Sequence, residues 1–172
     1  MRCRQSLATR LRGNGFSLLE SVVGLLLIGV FCALLLERLA YYQEAAEKAV
    51  MELEVNKFKL ALQVHIGDLI ARNRALDYAE LARENPVLWL DRPPVGYRGE
   101  FSGNASAQLP RGSWYFDRSN AELVYLLNQD RNFRSPSEGR ARVRWRVKTV
   151  RVAADSTVIG LQLALAEAYS WF

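Results

Sequence analysis

An apolar segment near the start of the chain constrains its fold more than any other feature. The segment runs from Phe16 to Leu36, and its only polar side chains are those of Ser17, Glu20 and Ser21. As an α-helix at 1.5 Å per residue it spans about 30 Å, which is the thickness of the hydrocarbon core of a bilayer. The sequence therefore predicts a transmembrane helix over residues 16–36 and a chain anchored in a membrane.

The charges around this segment predict its orientation. Arg2, Arg4, Arg10 and Arg12 precede it, and residues 1–15 contain no acidic residue. Because the formal net charge of the chain is +5, these four arginines leave +1 for residues 16–172. The positive-inside rule places the arginine-rich end in the cytoplasm and the rest of the chain on the far side of the membrane. The basic character of the chain therefore does not by itself indicate a nucleic-acid-binding protein.

A cleaved secretory signal peptide is the main alternative for such a start. The apolar segment is long for a signal peptide, and it ends at Leu36-Glu37-Arg38 with no small-residue cleavage site. An uncleaved anchor is therefore the preferred interpretation. The lone carboxylate of Glu20 then needs an explanation, because an ionisable side chain in hydrocarbon costs about 2.5–3.5 kcal/mol on insertion scales.

A basic leader ends in Gly15, and Phe16, a hydroxyl residue, two leucines, Glu20 and the apolar run follow. This order of features over residues 10–36 resembles the type IV pilin and type II secretion pseudopilin superfamily. The resemblance implies that a prepilin peptidase removes residues 1–15 by cutting between Gly15 and Phe16, and that the new terminal Phe16 is N-methylated. It also implies that Glu20 pairs with the terminal amine of a neighbouring subunit during filament assembly.

The same resemblance implies partners and a location. The partners are prepilin peptidase, other pilin or pseudopilin subunits, an inner-membrane assembly platform and membrane lipid. The location is the bacterial inner membrane, crossed once, with the C-terminal domain in the periplasm and later in a periplasmic or extracellular filament. Many relatives have a proline at the position of Glu37 and a disulfide in the head, whereas the only cysteines here are Cys3 and Cys32. These differences favour a pseudopilin or minor pilin over a surface-exposed major pilin.

The helix is predicted to continue beyond the membrane as an amphipathic segment over residues 37–75. No proline occurs between Glu37 and Asn73, and the only glycine there is Gly67. Apolar residues recur at helical spacing, and we expect this face to pack on the rest of the chain; it comprises Ala46, Val50, Leu53, Leu60, Val64, Ile66, Leu69 and Ile70. A short second helix is predicted from the cap Asp77 to Glu84, before Pro86.

Residues 76–172 are predicted to form an α+β head. Proline and glycine punctuate residues 86–112, which indicates loops and turns. Antiparallel strands are expected near 113–116, 122–127, 140–149 and 158–166, with the first two joined by a hairpin turn at 117–120. The predicted fold class is therefore α+β, with a long N-terminal helix packed on a small antiparallel β-sheet.

The strand near 140–149 alternates between apolar and cationic side chains. Its cationic face comprises Arg140, Arg142, Arg144, Arg146 and Lys148. We favour a solvated sheet face, because antiparallel sheets commonly expose one polar face and cations discourage edge pairing. A contact with an acidic protein partner and the tracking of nucleic-acid phosphates are the alternatives. The near-neutral charge of residues 16–172 makes nucleic acid the least favoured of the three.

No constellation for catalysis is present in the sequence. His65 is the only histidine, so the sequence offers no histidine-rich metal site. Asp117 and Asp130 lack the spaced oxygen ligands of a calcium loop. We therefore expect no enzymatic activity, no metal and no cofactor. The predicted function is a structural filament subunit, and the alternative is a minor pilin that binds DNA or another ligand through residues 140–148.

Overall fold

The computed structural model describes residues 17–73, 77–103, 107–136, 139–151 and 158–172. The chain divides into two compact units, Met1–Tyr42 and Gln43–Phe172. One helix, α1 (Leu18–Ala71), contributes residues to both, which confirms the predicted continuation of the apolar helix. The leader and the Gly15–Phe16 junction lie outside the described residues.

In the first unit, α1 exposes its apolar side chains. Among the described residues, it is the one helix long and apolar enough to cross a membrane. Leu18, Leu25 and Ile28 are 83%, 74% and 64% exposed, as expected for a surface that contacts lipid. The helix is therefore consistent with a single-pass membrane anchor.

The second unit contains a five-stranded sheet and a small two-stranded sheet. The strands are β1 (Tyr97–Phe101), β2 (Trp114–Asp117), β3 (Glu122–Leu126), β4 (Phe133–Arg134), β5 (Arg142–Arg151), β6 (Val158–Leu165) and β7 (Ser170–Trp171). The large sheet has the order β1-β2-β3-β5-β6, and β4 pairs with β7. All four predicted strands are confirmed to within about two residues, and β2 and β3 form the predicted antiparallel pair.

The large sheet is mixed rather than purely antiparallel. Strand β1 lies in the segment predicted to be loop, and it pairs in parallel with β2. Gly96 makes this approach possible: its φ is +82°, and a Cβ there would lie 2.7 Å from the carbonyl oxygen of Gly112. The Trp114 N–H donates to the Gly96 carbonyl oxygen at 3.0 Å. The α+β class is confirmed, and the description of the sheet as antiparallel is corrected at this edge.

The core lies between α1 and one face of the large sheet. The helix contributes Met51, Val55, Phe58 and Leu62, which recur every three or four residues. The Phe58 ring lies 5.8 Å from the Trp114 ring, centroid to centroid. The sheet side of this core includes Trp114, Leu123, Val143, Trp145 and Val147.

The face of α1 predicted to pack is largely the exposed one. Val50, Leu53, Leu60 and Val64 are 56–63% exposed. Apolar residues occupy two sides of this part of the helix. The helical spacing of apolar residues identifies both sides but does not show which one packs on the sheet. We refer to these four residues as the exposed stripe of α1.

Two polar signals in the sequence gave the correct local structure. The helix α2 (Tyr78–Leu81) begins after Asp77, whose Oδ1 accepts hydrogen bonds from the N–H groups of Ala79 and Glu80 at 2.9 and 3.1 Å. In the β2–β3 hairpin, Asp117 accepts hydrogen bonds from the Ser119 N–H at 2.9 Å and from Asn120 Nδ2 at 2.7 Å. Both carboxylates satisfy backbone or turn donors that would otherwise lack partners.

Candidate functional site

Glu20 lies in the first turn of α1, where its side chain is exposed. Its backbone N–H donates to Ser17 Oγ at 3.2 Å, so Ser17 caps the helix. Ser-x-x-Glu is the pattern of a capping box, and an acidic residue in the first turn also interacts favourably with the helix dipole. This local role was readable from the sequence and was missed there. The observed cap uses the Ser17 hydroxyl and the backbone N–H of Glu20, so it does not depend on the predicted pairing between subunits.

A buried carboxylate anchors the head to α1. Glu44 is 1% exposed, and its oxygens accept from three donors. Oε1 accepts from the Asn132 N–H and from Trp171 Nε1, each at 3.0 Å, and Oε2 accepts from Asn132 Nδ2 at 2.7 Å. A buried charge is tolerated when it is hydrogen-bonded in this way. Glu44 thus fastens both the 128–132 loop and β7 to one helical turn.

Glu47, one turn later, holds the start of the same loop. It accepts from the Tyr125 hydroxyl at 2.9 Å and from the N–H groups of Asn128 and Gln129 at 2.6 and 3.1 Å. Burial raises the pKa of Tyr125 above its ordinary value, and the negative charge of Glu47 raises it further. The Tyr125 hydroxyl therefore stays protonated and donates a hydrogen bond to Glu47. Neither Glu44 nor Glu47 was predicted from the sequence as a site residue.

The predicted alternation of β5 is confirmed. Val143, Trp145 and Val147 are buried against α1, and the cationic side chains project from the opposite face of the sheet. We call this opposite side the outer face. Tyr115, Val124 and Leu126 are also buried there, beneath contacts from Phe101 and Leu109. The outer face is therefore partly covered rather than uniformly solvated.

Carboxylates compensate the cations toward one end of the outer face. Glu122, which is 3% exposed, pairs with Arg146 at 2.8 Å and with Arg144 at 3.4 Å. Arg144 also pairs with Glu167. Partial burial acts to lower the pKa of Arg144, but the neighbouring carboxylates outweigh it and the pKa is raised. Arg144 is therefore a fixed, fully charged side chain with only a quarter of its side-chain surface exposed.

A cavity of about 470 Å³ opens on the outer face. The charged and phenolic groups along its wall are Tyr115, Asp117, Glu122, Arg140, Arg142 and Arg144. We call it the arginine cavity. Arg140 Nη1 donates to the Leu109 carbonyl oxygen at 2.7 Å. Burial raises the pKa of Tyr115, and the positive charge and hydrogen bond of Arg142 oppose that shift.

The five predicted cationic residues therefore lie in two different environments. Arg140, Arg142 and Arg144 line the cavity, whereas Arg146 and Lys148 are exposed beyond it. Arg146 is paired with Glu122, and Lys148 donates to the Leu165 carbonyl oxygen at 3.2 Å. The alternation in the sequence identified the face, and the fold divides it into a recessed part and an open part.

His65 occupies a packing position. Its ring stacks on Trp89, with centroids 5.6 Å apart and planes 16° from parallel. Trp89 Nε1 in turn donates to Glu84 Oε2 at 3.1 Å. Within the described ranges, no group of three or more histidine, cysteine, aspartate or glutamate residues is arranged to hold a metal ion.

Comparison of the chain with protein families, with curated proteins and with solved structures finds no match. The functional assignment therefore depends on the residues themselves. The features available for it are the exposed apolar helix with Glu20 in its first turn, the exposed stripe of α1 and the arginine cavity.

Proposed function

We propose that this chain is a structural subunit of a type II secretion-like pseudopilus or a type IV pilus, most similar to a pseudopilin or a minor pilin. One observation carries the proposal: an exposed apolar helix begins at Leu18, places Glu20 in its first turn, and directly follows the Gly15-Phe16 junction of a basic leader. In this proposal prepilin peptidase releases Phe16, and the Glu20 carboxylate receives the terminal amine of a neighbouring subunit. The attraction is strong in a low dielectric, although desolvation cancels much of it, so the pair acts mainly to set register.

The exposed stripe of α1 supports an assembling subunit. Its residues stand at intervals of three, seven and four, which is the spacing of the apolar seam through which helices pack side by side. Exposed apolar side chains that recur on one side of a helix are typical of a surface that packs against a partner. We propose that neighbouring subunits cover this stripe in the filament.

The proposed setting follows from the same anchor. The chain crosses the bacterial inner membrane once, with the leader in the cytoplasm and the head in the periplasm, and an inner-membrane platform moves it from the lipid into the filament. A DNA-binding role receives no support from the outer face, because Glu122 and Glu167 compensate Arg144 and Arg146. We therefore propose no nucleic-acid partner.

The decisive experiment is intact-mass analysis of the full chain extracted from membranes of cells with and without prepilin peptidase. With the peptidase, we expect a chain that has lost residues 1–15 and gained one methyl group. Gly15→Val is the matched control, because a branched side chain at the scissile bond blocks the cut and leaves the full-length mass. A wild-type chain that keeps Met1 in the presence of active peptidase would contradict the proposal.

A further inference from the structure

We propose that the exposed stripe of α1 pairs with the same stripe of a second copy of this chain, in a parallel, in-register, two-stranded coiled coil. The inference deepens the proposed function and rests on it for one point, the common orientation of the two copies. It names the partner, the direction of pairing and the residue that sets the register. All residues of the stripe belong to the Gln43–Phe172 unit.

The stripe has the seven-residue repeat of a coiled coil once Lys57 is included. In the heptad notation abcdefg, the a positions are Val50, Lys57 and Val64, and the d positions are Leu53 and Leu60. We call these five residues the seam. A β-branched residue at a with leucine at d is the combination that favours two parallel strands. The seam therefore indicates one kind of partner, a parallel helix with the same repeat.

The seam lies on a side of α1 that is open to a partner. At 100° per residue, its mean direction is about 150° from that of the core residues Met51, Val55, Phe58 and Leu62. Its four apolar side chains are more than half exposed, and so is about half of the Lys57 side chain. A second helix can therefore cover the seam without disturbing the core.

Lys57 is the one charged residue of the seam. Its Nζ lies 2.7 Å from Oε1 of Glu54, so its charge is compensated within its own helix. A single lysine at an a position lowers the stability of a coiled coil but fixes its register and number of strands. In the in-register pair the two lysines occupy the same layer, each beside the Glu54 of its own helix.

The residues that flank the seam favour parallel over antiparallel pairing. In a parallel pair the e side of one helix faces the g side of the other, whereas in an antiparallel pair e faces e. The e side includes Glu54 and Asp68, and the g side comprises Ala49, Asn56 and Gln63. Parallel pairing therefore places acidic residues against a neutral side, and antiparallel pairing places them against each other.

A groove beside the seam leaves room for the second helix. It has a volume of about 570 Å³ and lies between α1, at Ala61, and the segment 89–95. Ala61 is an e residue, so Asn56 of the second copy lies opposite it in a parallel pair. The groove wall carries both signs of charge, on Asp91 and Arg92. The Asn56 amide suits such a wall, because it both donates and accepts hydrogen bonds.

The seam covers about two heptads, which is short for an independent coiled coil. Two copies anchored in one membrane have a high effective concentration, so a short seam suffices there. The test is therefore made on the full chain in membranes. The cells lack prepilin peptidase and every other pilin-like subunit, so that neither processing nor filament assembly contributes.

The measurement is the yield of disulfide-linked dimer on mild oxidation. Cys3 and Cys32 are first replaced by serine, so that an introduced cysteine is the only thiol. Leu60→Cys places two thiols in one layer of a parallel, in-register pair, and we expect efficient cross-linking. Lys59→Cys is the matched control, since it is exposed and adjacent but outside the seam. It should give about tenfold less dimer, because a disulfide needs Cβ atoms about 4 Å apart.

Three variants in the Leu60→Cys background test the seam itself. Leu53→Gln should lower the dimer yield about tenfold, because it places an amide in an apolar layer. Lys57→Val should raise the yield, because the cost of the buried lysine is removed. Leu88→Gln, at an exposed apolar position outside the seam, should change the yield less than about twofold.

Four results would overturn the proposal. Equal yields from Leu60→Cys and Lys59→Cys would show random collision in the membrane. A mixture of Leu53→Cys and Leu60→Cys chains that cross-links better than Leu60→Cys alone would show a shifted or antiparallel pair. An unchanged yield with Leu53→Gln would show that the seam is not the contact. Cross-linking only in cells that contain other pilin-like subunits would assign the stripe to a different subunit.

This test fails independently of the proposed function. Because no peptidase is present, a chain whose leader is never removed would give the same cross-linking. Conversely, a stripe that pairs only with a different subunit would leave the proposed filament subunit intact.

Discussion

Trp171 Nε1 donates a 3.0 Å hydrogen bond to Oε1 of Glu44, a residue 127 positions earlier in the chain. Both residues are almost completely buried, at 2% and 1% exposure. The contact joins the two-residue strand β7 to a turn of α1, and Asn132 donates two hydrogen bonds to the same carboxylate. A single carboxylate therefore holds two distant segments against the helix.

Replacing this carboxylate should destabilise the head. Glu44→Leu leaves the Asn132 N–H, Asn132 Nδ2 and Trp171 Nε1 without their acceptor, and each buried unsatisfied group costs about 1–3 kcal/mol. We expect a loss of about 3 kcal/mol or more in the free energy of unfolding, measured by urea denaturation with tryptophan fluorescence. Glu44→Gln keeps one acceptor oxygen and should lose less. Glu52→Leu, at an exposed position of the same helix, should stay within about 0.5 kcal/mol of wild type, and equal effects at both sites would refute the role given to Glu44.

Substitutions on the two apolar sides of α1 should have different effects, one on the stability of the head and the other on filament assembly. Phe58 is fully buried, and Phe58→Ala should cost about 3–5 kcal/mol because it leaves a cavity in the core. Leu53 is 56% exposed, and Leu53→Gln should leave the free energy of unfolding nearly unchanged while lowering incorporation into filaments. The measurements are urea denaturation and the amount of subunit in sheared, cross-linked filaments. Normal incorporation of Leu53→Gln would count against the exposed stripe as an interface.

Substitutions at the start of α1 should distinguish the cap from the proposed pairing between subunits. Glu20→Gln retains a residue suited to a capping box and removes the charge, so we expect a processed chain that enters filaments poorly. Glu20→Leu should also be processed, because it makes the span easier to insert by about 2.5–3.5 kcal/mol. Ser17→Ala removes the cap at a cost of about 1 kcal/mol but keeps the charge of Glu20, so it should still assemble. Normal incorporation of both Glu20 variants into filaments would show that the Glu20 carboxylate is not needed for assembly.

Tyr125 should make the head sensitive to alkaline pH. Because burial and Glu47 raise its pKa, the folded state keeps the phenolic proton at a pH where the unfolded state loses it. The stabilisation is complete below the unfolded pKa of about 10 and is lost as pH rises above it. Tyr97, Tyr115 and Tyr169 shift in the same direction, so Tyr125→Phe should remove only part of this dependence.

The measurement for Tyr125 is the difference in the free energy of unfolding between pH 9 and pH 11. The wild type should lose more stability than Tyr125→Phe over this interval. At pH 7 the variant should be slightly less stable, because the hydrogen bond to Glu47 is lost. Identical pH dependence in the two proteins would show that Tyr125 does not titrate differently on unfolding.

The sequence predicted those parts of the fold that a local pattern encodes. Alternation identified β5 and its two faces, since one buried side forces apolar residues to every second position. Asp77 and the residues 117–120 predicted a helix start and a hairpin, because their side chains complete hydrogen bonds within a few residues. Such patterns predict the local structure correctly because the residues that interact lie close together in the chain.

The missed elements depend on distant partners. Strand β1 contains Gly99 and charged residues, and it is a strand because β2 lies beside it. Strands β4 and β7 have two residues each, too few for any period. The sequence around Glu44 does not distinguish it from a solvent-exposed helix residue, because its hydrogen-bond donors come from the distant residues 132 and 171. The arginine cavity was likewise hidden, because alternation places cations on a face without showing which part of that face is recessed.

The pairing of Glu44 with Trp171 also has a consequence for the newly made chain. At about 5–20 residues per second, ribosomes need roughly 6–25 seconds to add the residues between them. Throughout that interval the helical turn at Glu44 has no indole to cover it. A carboxylate at this position is hydrated in the incomplete chain. An apolar residue there would instead enlarge the exposed apolar surface of the helix. The acid that is buried in the folded head therefore adds no apolar surface to the incomplete chain.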